Sequence, residues 1–476
     1  MVTKSKDKLD RKARLQLPPV HAQERDPQVR IRDFGEILIL HTPEAAIAEA
    51  SRCLQCANAP CQKACPLHND IPRALSLLAE GEISAAADVY RETSTLPEFC
   101  GRLCPERFCY NACALGKLGK PIDTRRLEAF VTTHQRRTEG YPDVHVAPPT
   151  GKRVALIGAG PASLTVAEIL ARRGHEVVIY EREPVPGGLL IYGIPRFKLA
   201  TEVVEAKIDW LKGLGVTFRC NTEVGKDVAF EQLKAEYDAV FIGAGAKTDY
   251  RPGLPGEDLT GVIEATEFLC RGNLPTEILP PAWRTPMEIG PRVHVLGGGN
   301  TAMDCLRTAL RLPGVEEVTC YYRRSEAEMP CCHEEYRHAK EEGADFVWQV
   351  SPVAFLGDEA GHLCAVRYQH MELGAPDASG RRRPVPIPGS AFTVEADTVI
   401  LAFGYRPERA FVEHLGLETE PWGTLKVDDE AHGRTSEPGV FAAGDIVRGA
   451  DLLAPAIADA RHVAESMDAY LCTKKD

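Results

Sequence analysis

Eight of the sixteen cysteines fall between Cys53 and Cys113, in two quartets. The first is Cys53-x2-Cys56-x4-Cys61-x3-Cys65-Pro66, and the second is Cys100-x3-Cys104-Pro105-x3-Cys109-x3-Cys113. Eight soft thiolate donors match two four-cysteine [4Fe–4S] clusters. The bacterial ferredoxin run has two residues between its second and third cysteines where this chain has four, so the spacing is not that of a ferredoxin domain. Ferredoxin logic still sends the last cysteine of each quartet to the other cluster. Zinc is the main rival, but its structural sites use paired C-x2-4-C knuckles, and the second quartet lacks a tight C-x2-C. Zinc also accepts no electrons. A disulfide scaffold would be short and secreted, with its cysteines spread throughout.

Two glycine turns supply the other chemistry. Gly158-Ala159-Gly160-Pro161-Ala162-Ser163 follows the apolar run Val154–Ile157 and opens a helix pattern. Glycines there let the backbone approach a pyrophosphate at a helix N-terminus. Glu181 ends the next strand, 21 residues after Gly160, where an acid meets a ribose 2′-OH. Ser163 takes the place of the third glycine as a small residue. Gly439-Val440-Phe441-Ala442-Ala443-Gly444-Asp445 resembles the second FAD motif of two-dinucleotide-domain flavoproteins, which favours FAD over NAD at the first turn. Gly188 and Leu189 are counted in the same cofactor set. The second turn, Gly297-Gly298-Gly299-Asn300-Thr301-Ala302-Met303-Asp304, fits G-x-G-x-x-A. Arg323 and Arg324 stand at the end of its following strand, where an NAD site keeps an acid. Guanidiniums pair with the 2′-phosphate of NADPH and a carboxylate repels it, so NADPH is expected.

These residues need particular elements to hold them. Val154–Ile157 and Glu176–Tyr180 read as the strands of one βαβ unit, and Val293–Leu296 with Val318–Tyr322 as a second. A β-rich stretch follows, Val399–Ala402 closes the inserted unit, and Gly439 to Tyr470 reads as strand, glycine turn and helix. In the cysteine region Asp70-Ile71-Pro72 is a helix start and Arg73 to Arg91 has helical spacing. Ala147–Gly151 is a linker. The expected fold is α/β: an all-helical iron–sulfur domain (1–147), then an FAD domain in two parts (148–285 and 401–476) with an NADPH domain (286–400) inserted.

The 476 residues are too many for one core. A formal charge of −12 argues against nucleic acid or an anionic membrane as partner. No run of 18 apolar residues predicts a membrane span. The N-terminus, charged through Gln16 and without an apolar core, reads as a solvated tail and not as a secretory signal. A cytoplasmic protein is expected.

From about Glu24 to Leu471 the chain resembles the small (β) subunit of glutamate synthase, with relatives in the N-terminal part of dihydropyrimidine dehydrogenase and the large subunit of NADH-dependent ferredoxin:NADP⁺ oxidoreductase. The residues that carry the match are Cys-Leu-Gln-Cys at 53–56, Pro60-Cys61, Cys65-Pro66, Cys-Gly-Arg-Leu-Cys-Pro at 100–105, both glycine turns, Tyr322-Arg323-Arg324, Gly404–Pro407 and Gly444-Asp445. The resemblance implies one cluster on Cys53, Cys56, Cys61 and Cys113. It implies another on Cys65, Cys104 and Cys109, with Cys100 or Glu128 as fourth ligand; the softer thiolate favours Cys100. It also implies hydride transfer from NADPH to FAD, then single electrons through the clusters to a larger redox subunit in a hetero-oligomer. Hydride transfer needs orientation more than a proton donor, so no acid–base residue is assigned. The chain has no N-terminal cysteine nucleophile for amidotransfer. Two other readings remain: the same module in a bifurcating or hydrogenase-linked complex, and a non-enzymatic redox sensor. The adjacent Cys331-Cys332 reads as an inert pair, and no C-x-x-C near the second turn suggests thioredoxin-reductase chemistry.

Overall fold

The computed structural model describes residues 10–377, 380–429 and 432–473; the first nine residues of the expected N-terminal tail lie outside them. Two five-stranded, all-parallel sheets form its centre. The first runs, in spatial order, Val440–Ala442, Ala239–Ile242, Arg153–Ile157, Glu176–Tyr180 and Thr217–Arg219. Val154–Ile157 and Ala239–Ile242 are buried without interruption. Helices cover both faces of such a sheet, so its central strands need apolar residues on each side. The first glycine turn leads into the helix Pro161–Arg172, and the helix Leu453–Thr473 packs beside it.

The second sheet runs Asp345–Trp348, Glu317–Tyr322, Arg292–Leu296, Thr398–Leu401 and Val262–Glu264. This last strand moves a boundary. The sequence reading gave residues up to 285 to the first dinucleotide domain, yet Val262–Glu264 pairs in parallel with Val399–Leu401. The inserted unit therefore begins near the ribbon in which Thr248–Asp249 pairs antiparallel with Tyr405–Arg406, the two crossings between units. A half-buried strand of three residues leaves no apolar run to read. The β-rich stretch is a three-stranded antiparallel meander of Val350–Gly357, Leu363–Pro376 and Arg382–Glu395.

The cysteine region is built on helices. Asp70 caps Ile71–Ala79 by accepting from the Arg73 amide at 3.3 Å. The helical stretch after it breaks at Gly81 (φ 87°) and resumes at Ile83–Arg91. Pro97–Leu103 crosses Thr124–Thr138 so closely that a Cβ on Gly101 would sit 2.3 Å from the Ala129 amide nitrogen. The domain is not wholly helical, because Gln23–Glu24 pairs antiparallel with Leu38–Ile39. Residues 11–16, expected within a solvated tail, form a short helix. Arg14 there donates to the Cys53 carbonyl at 2.6 Å, so a contact distant in sequence orders what composition left open.

Candidate functional site

A cavity of about 500 Å³ lies between the two glycine turns. Gly158, Gly160, Pro161, Ala162, Glu181, Gly188, Leu189, Gly444 and Asp445 line it from the first unit; Asn300, Thr301 and Asp304 line it from the second. Gly158 has φ 88°, and a Cβ there would stand 2.9 Å from the Gly243 carbonyl oxygen. Gly160 and Gly299 begin the helices Pro161–Arg172 and Asn300–Ala309, and neither N-terminus has a side-chain cap. Uncapped amides at a cavity wall are the donor set an anionic pyrophosphate requires. Ser163, standing for the third glycine, is fully buried where a Cβ on Gly243 would meet its Oγ at 2.3 Å. The small residue thus keeps helix and strand close.

Glu181 shapes the first turn. Its Oε2 accepts from the Ala159 amide at 2.7 Å and its Oε1 from the Glu183 amide at 2.9 Å. Burial raises the Asp445 carboxyl to about 7. Lys198, which no motif marked, also lines the cavity. Its ammonium reaches Asp304 at 2.8 Å and Glu335 at 3.2 Å, and the two carboxylates outweigh burial and hold it protonated. Leu103, Arg107 and Tyr405 complete walls that the glycine patterns did not indicate.

The second turn is gripped by its surroundings. Asn300 Oδ1 accepts from the Cys332 amide at 2.8 Å, and the Gly298 carbonyl accepts from the Cys331 amide at 3.2 Å. Gly298 faces the Tyr322 ring and, like Gly299, does not line the cavity. The arginine pair divides. Arg323 is exposed, but Arg324 is buried, donating to Asp377 Oδ2 at 2.6 Å and to the Arg382 carbonyl at 2.8 Å. The long hairpin of the meander brings these acceptors, so Arg324 does not present its guanidinium as the sequence reading expected.

The eight cysteines separate into two groups. Cys65, Cys100, Cys104 and Cys109 line one small buried cavity together with Tyr90, Thr124 and Glu128. The Thr124 hydroxyl donates to Cys109 Sγ at 2.8 Å. Glu128 is buried and accepts from Asn69 Nδ2 at 3.4 Å; burial holds its carboxyl well above the usual range. The other group is Cys53, Cys56, Cys61 and Cys113, of which Cys53 is buried and the rest half-buried. Burial pushes Cys53 to about 11 and Cys61 to about 12. Among the described residues no three cysteine sulfurs lie within 4.8 Å of one another. Tetrahedral zinc would hold its sulfurs ~3.8 Å apart at a Zn–S distance near 2.3 Å. A larger cluster, whose irons offset the burial of thiolates, fits this donor set better. Ala454 lines the inner cysteine cavity, while Leu453 and Ala456 line the large one.

Two parallel-sheet dinucleotide units facing one cavity, with a cysteine-lined pocket behind it, define a pyridine-nucleotide flavoprotein with an iron–sulfur domain. The family model "Pyridine nucleotide-disulphide oxidoreductase" matches residues 152–460, and "Dihydropyrimidine dehydrogenase domain II, 4Fe-4S cluster" matches residues 30–140. The Escherichia coli oxidoreductase AegA is 42% identical over 94% of this chain and 69% of its own. The glutamate synthase [NADPH] small chain of Halomonas elongata is 41% identical over 94% of this chain and 96% of its own. In fold, FprA from Mycobacterium tuberculosis, solved in complex with NADPH, aligns with a TM-score of 0.58 at 22% identity, over 67% of this chain and 85% of that one. The chain belongs to the pyridine nucleotide-disulphide oxidoreductases, in the family of the glutamate synthase small chain. It is an NAD(P)H-dependent oxidoreductase with a 4Fe–4S domain. No helix among the described residues is long and apolar enough to cross a membrane.

Proposed function

We propose that this chain is the electron-input subunit of a larger cytoplasmic redox complex, taking hydride from NADPH and delivering single electrons to a bigger partner subunit. When bound, FAD supplies the exchange between two-electron and one-electron chemistry, and the clusters supply one-electron carriage. Gly158, Gly160, Pro161, Ala162, Glu181, Gly188, Leu189, Gly444 and Asp445 hold FAD. Gly298, Gly299, Asn300, Thr301 and Asp304 hold NADPH, with exposed Arg323 as the cation nearest in sequence for a 2′-phosphate. Cys53, Cys56, Cys61 and Cys113 hold an outer cluster; Cys65, Cys100, Cys104 and Cys109 hold an inner one. The observation that carries the reading is the shared wall at Leu453–Ala456, which sets the inner cysteine pocket against the large cavity. No residue needs to move a proton for this role; orientation within the cavity is the protein's contribution.

A second reading of the fourth inner ligand has its own support. Glu128 is a buried carboxyl with Asn69 as its hydrogen-bonding partner and no cation paired with it among the described ion pairs, which suits a metal ligand as well as a neutral acid. Anaerobic purification with partners should give about eight iron atoms per chain, acid-labile sulfide and a co-eluting larger subunit. Cys100→Ala should lower the iron content toward about four if Cys100 ligates, and Glu128→Ala should do so if Glu128 does. Zinc in place of iron, or a chain that purifies without any partner and transfers no electrons, sinks the proposal.

A further inference from the structure

The inserted nicotinamide unit joins the rest of the chain covalently through the thin ribbon of Thr248–Asp249 and Tyr405–Arg406. A hinge of two short crossings would let the unit turn. Residues 24–37, far away in sequence, lie across it. Arg30 is 1% exposed, and it donates to Glu342 Oε1 and Glu341 Oε2, both at 2.8 Å. Glu342 also accepts from Arg307 at 3.1 Å and from Arg311 at 2.6 Å. Arg311 in turn donates to the carbonyls of Asp33 at 2.9 Å and Arg30 at 3.1 Å. Glu24 pairs with Arg337 at 2.8 Å and His338 at 3.0 Å.

The same segment grips the flavin side. Phe34 stacks on Phe197, and the guanidiniums of Arg307 and Arg311 lie 4.4 and 4.2 Å from the centre of the Phe197 ring. The Ile37 amide donates to the Phe197 carbonyl at 3.0 Å, and Glu36 accepts from the Ala200 amide at 3.2 Å and, from the cysteine domain, from Arg102 at 2.7 Å. From the cysteine domain, Arg126 reaches Glu334 at 2.5 Å, and Arg125 joins Glu334 (3.2 Å) to the Cys104 carbonyl (2.9 Å). Lys198 closes the ring on Asp304. Buried charges are costly to desolvate, and a network of them specifies one arrangement better than it adds stability.

We propose that residues 24–37 form a strap that locks the nicotinamide unit in register for hydride transfer, with Arg30 as its principal positioning residue. The proposal rests on the reading that the second glycine turn takes NADPH. A domain swing is then no part of turnover.

The test uses anaerobic holoprotein. At saturating NADPH, Arg30→Met should bleach the flavin at least about tenfold more slowly, since small misplacements of reacting atoms cost that much. Its half-saturating NADPH, flavin content and iron content should stay near native, and Arg30→Lys, which can reach one carboxylate, should restore part of the rate. Amide exchange should rise at Asn300–Ala309 and His333–Glu341 but not at Pro161–Arg172. Native bleaching and native exchange in Arg30→Met overturn the strap. Should that variant not fold, the native protein decides: a bleaching rate unmoved by added viscogen supports the lock, and a rate falling with viscosity overturns it. Native protein that NADPH does not bleach at all overturns the nicotinamide reading first, and the strap's role with it.

Discussion

The two glycine turns share a pattern and differ in what holds them. The first is supported from within its own sheet: Glu181, at the end of one neighbouring strand, takes the Ala159 amide, and Ser163 fits against Gly243, at the end of the other. The second has no acid at the matching strand end and is held from outside. Cys331 and Cys332 clasp it from the loop before the helix His333–Glu341, and Lys198 grips Asp304 from the other dinucleotide unit. One motif can thus be locally or globally supported. The sequence pattern reports only the local kind.

The sharpest way to break this comparison is a side chain in each turn. Gly158→Val combines a φ of 88° with a Cβ 2.9 Å from the Gly243 carbonyl, and should cost about 5 kcal/mol in strain and overpacking and abolish FAD binding. Gly297→Val, whose Cβ would stand 2.2 Å from the Ala402 carbonyl, should abolish NADPH binding and leave FAD absorbance in place. Loss of FAD from both variants would show that the turns are not independent.

Lys198→Met comes next. It leaves Asp304 and Glu335 close together in a buried site without their shared cation, and should cost about 4 kcal/mol by urea unfolding. Glu181→Gln, which weakens charge-assisted bonds from two amides, should cost about 2 kcal/mol and lower FAD affinity while NADPH affinity holds.

The smallest effect separates the two regions by pH. Against the burial that would raise them, arginines hold Glu334 and Glu342 at about 2. Their contribution is present above the ordinary value of 4.5 and is lost as pH falls toward 2. Burial raises Asp445 to about 7, so its contribution is full below 3.8 and is lost as pH rises through 7. Thermal unfolding of FAD-stripped protein should therefore show opposite slopes in the two ranges. Asp445→Asn should flatten only the upper one.

Much of the fold was legible because it is written in local runs. Val154–Ile157 and Val293–Leu296 are apolar strands followed at once by glycines, and Asp70 with Pro72 marks a helix start. Both dinucleotide units and the helical cysteine region follow from such signals. The Val262–Glu264 strand was not legible, since three half-buried residues are defined by their neighbour in the sheet and by nothing in themselves. Arg324 looked like a phosphate ligand until a hairpin more than fifty residues later supplied Asp377. Lys198 and Arg30 carry no motif at all; their meaning lies in partners about a hundred and three hundred residues away.

Ala454 belongs to the last helix among the described residues and yet walls the pocket of Cys65, Cys104 and Cys109. That side of their chamber is open whenever the helix Leu453–Thr473 is undocked. Iron and sulfide have their easiest entry before that helix docks. A protein stripped of iron after folding should therefore resist refilling unless the helix Leu453–Thr473 is first loosened.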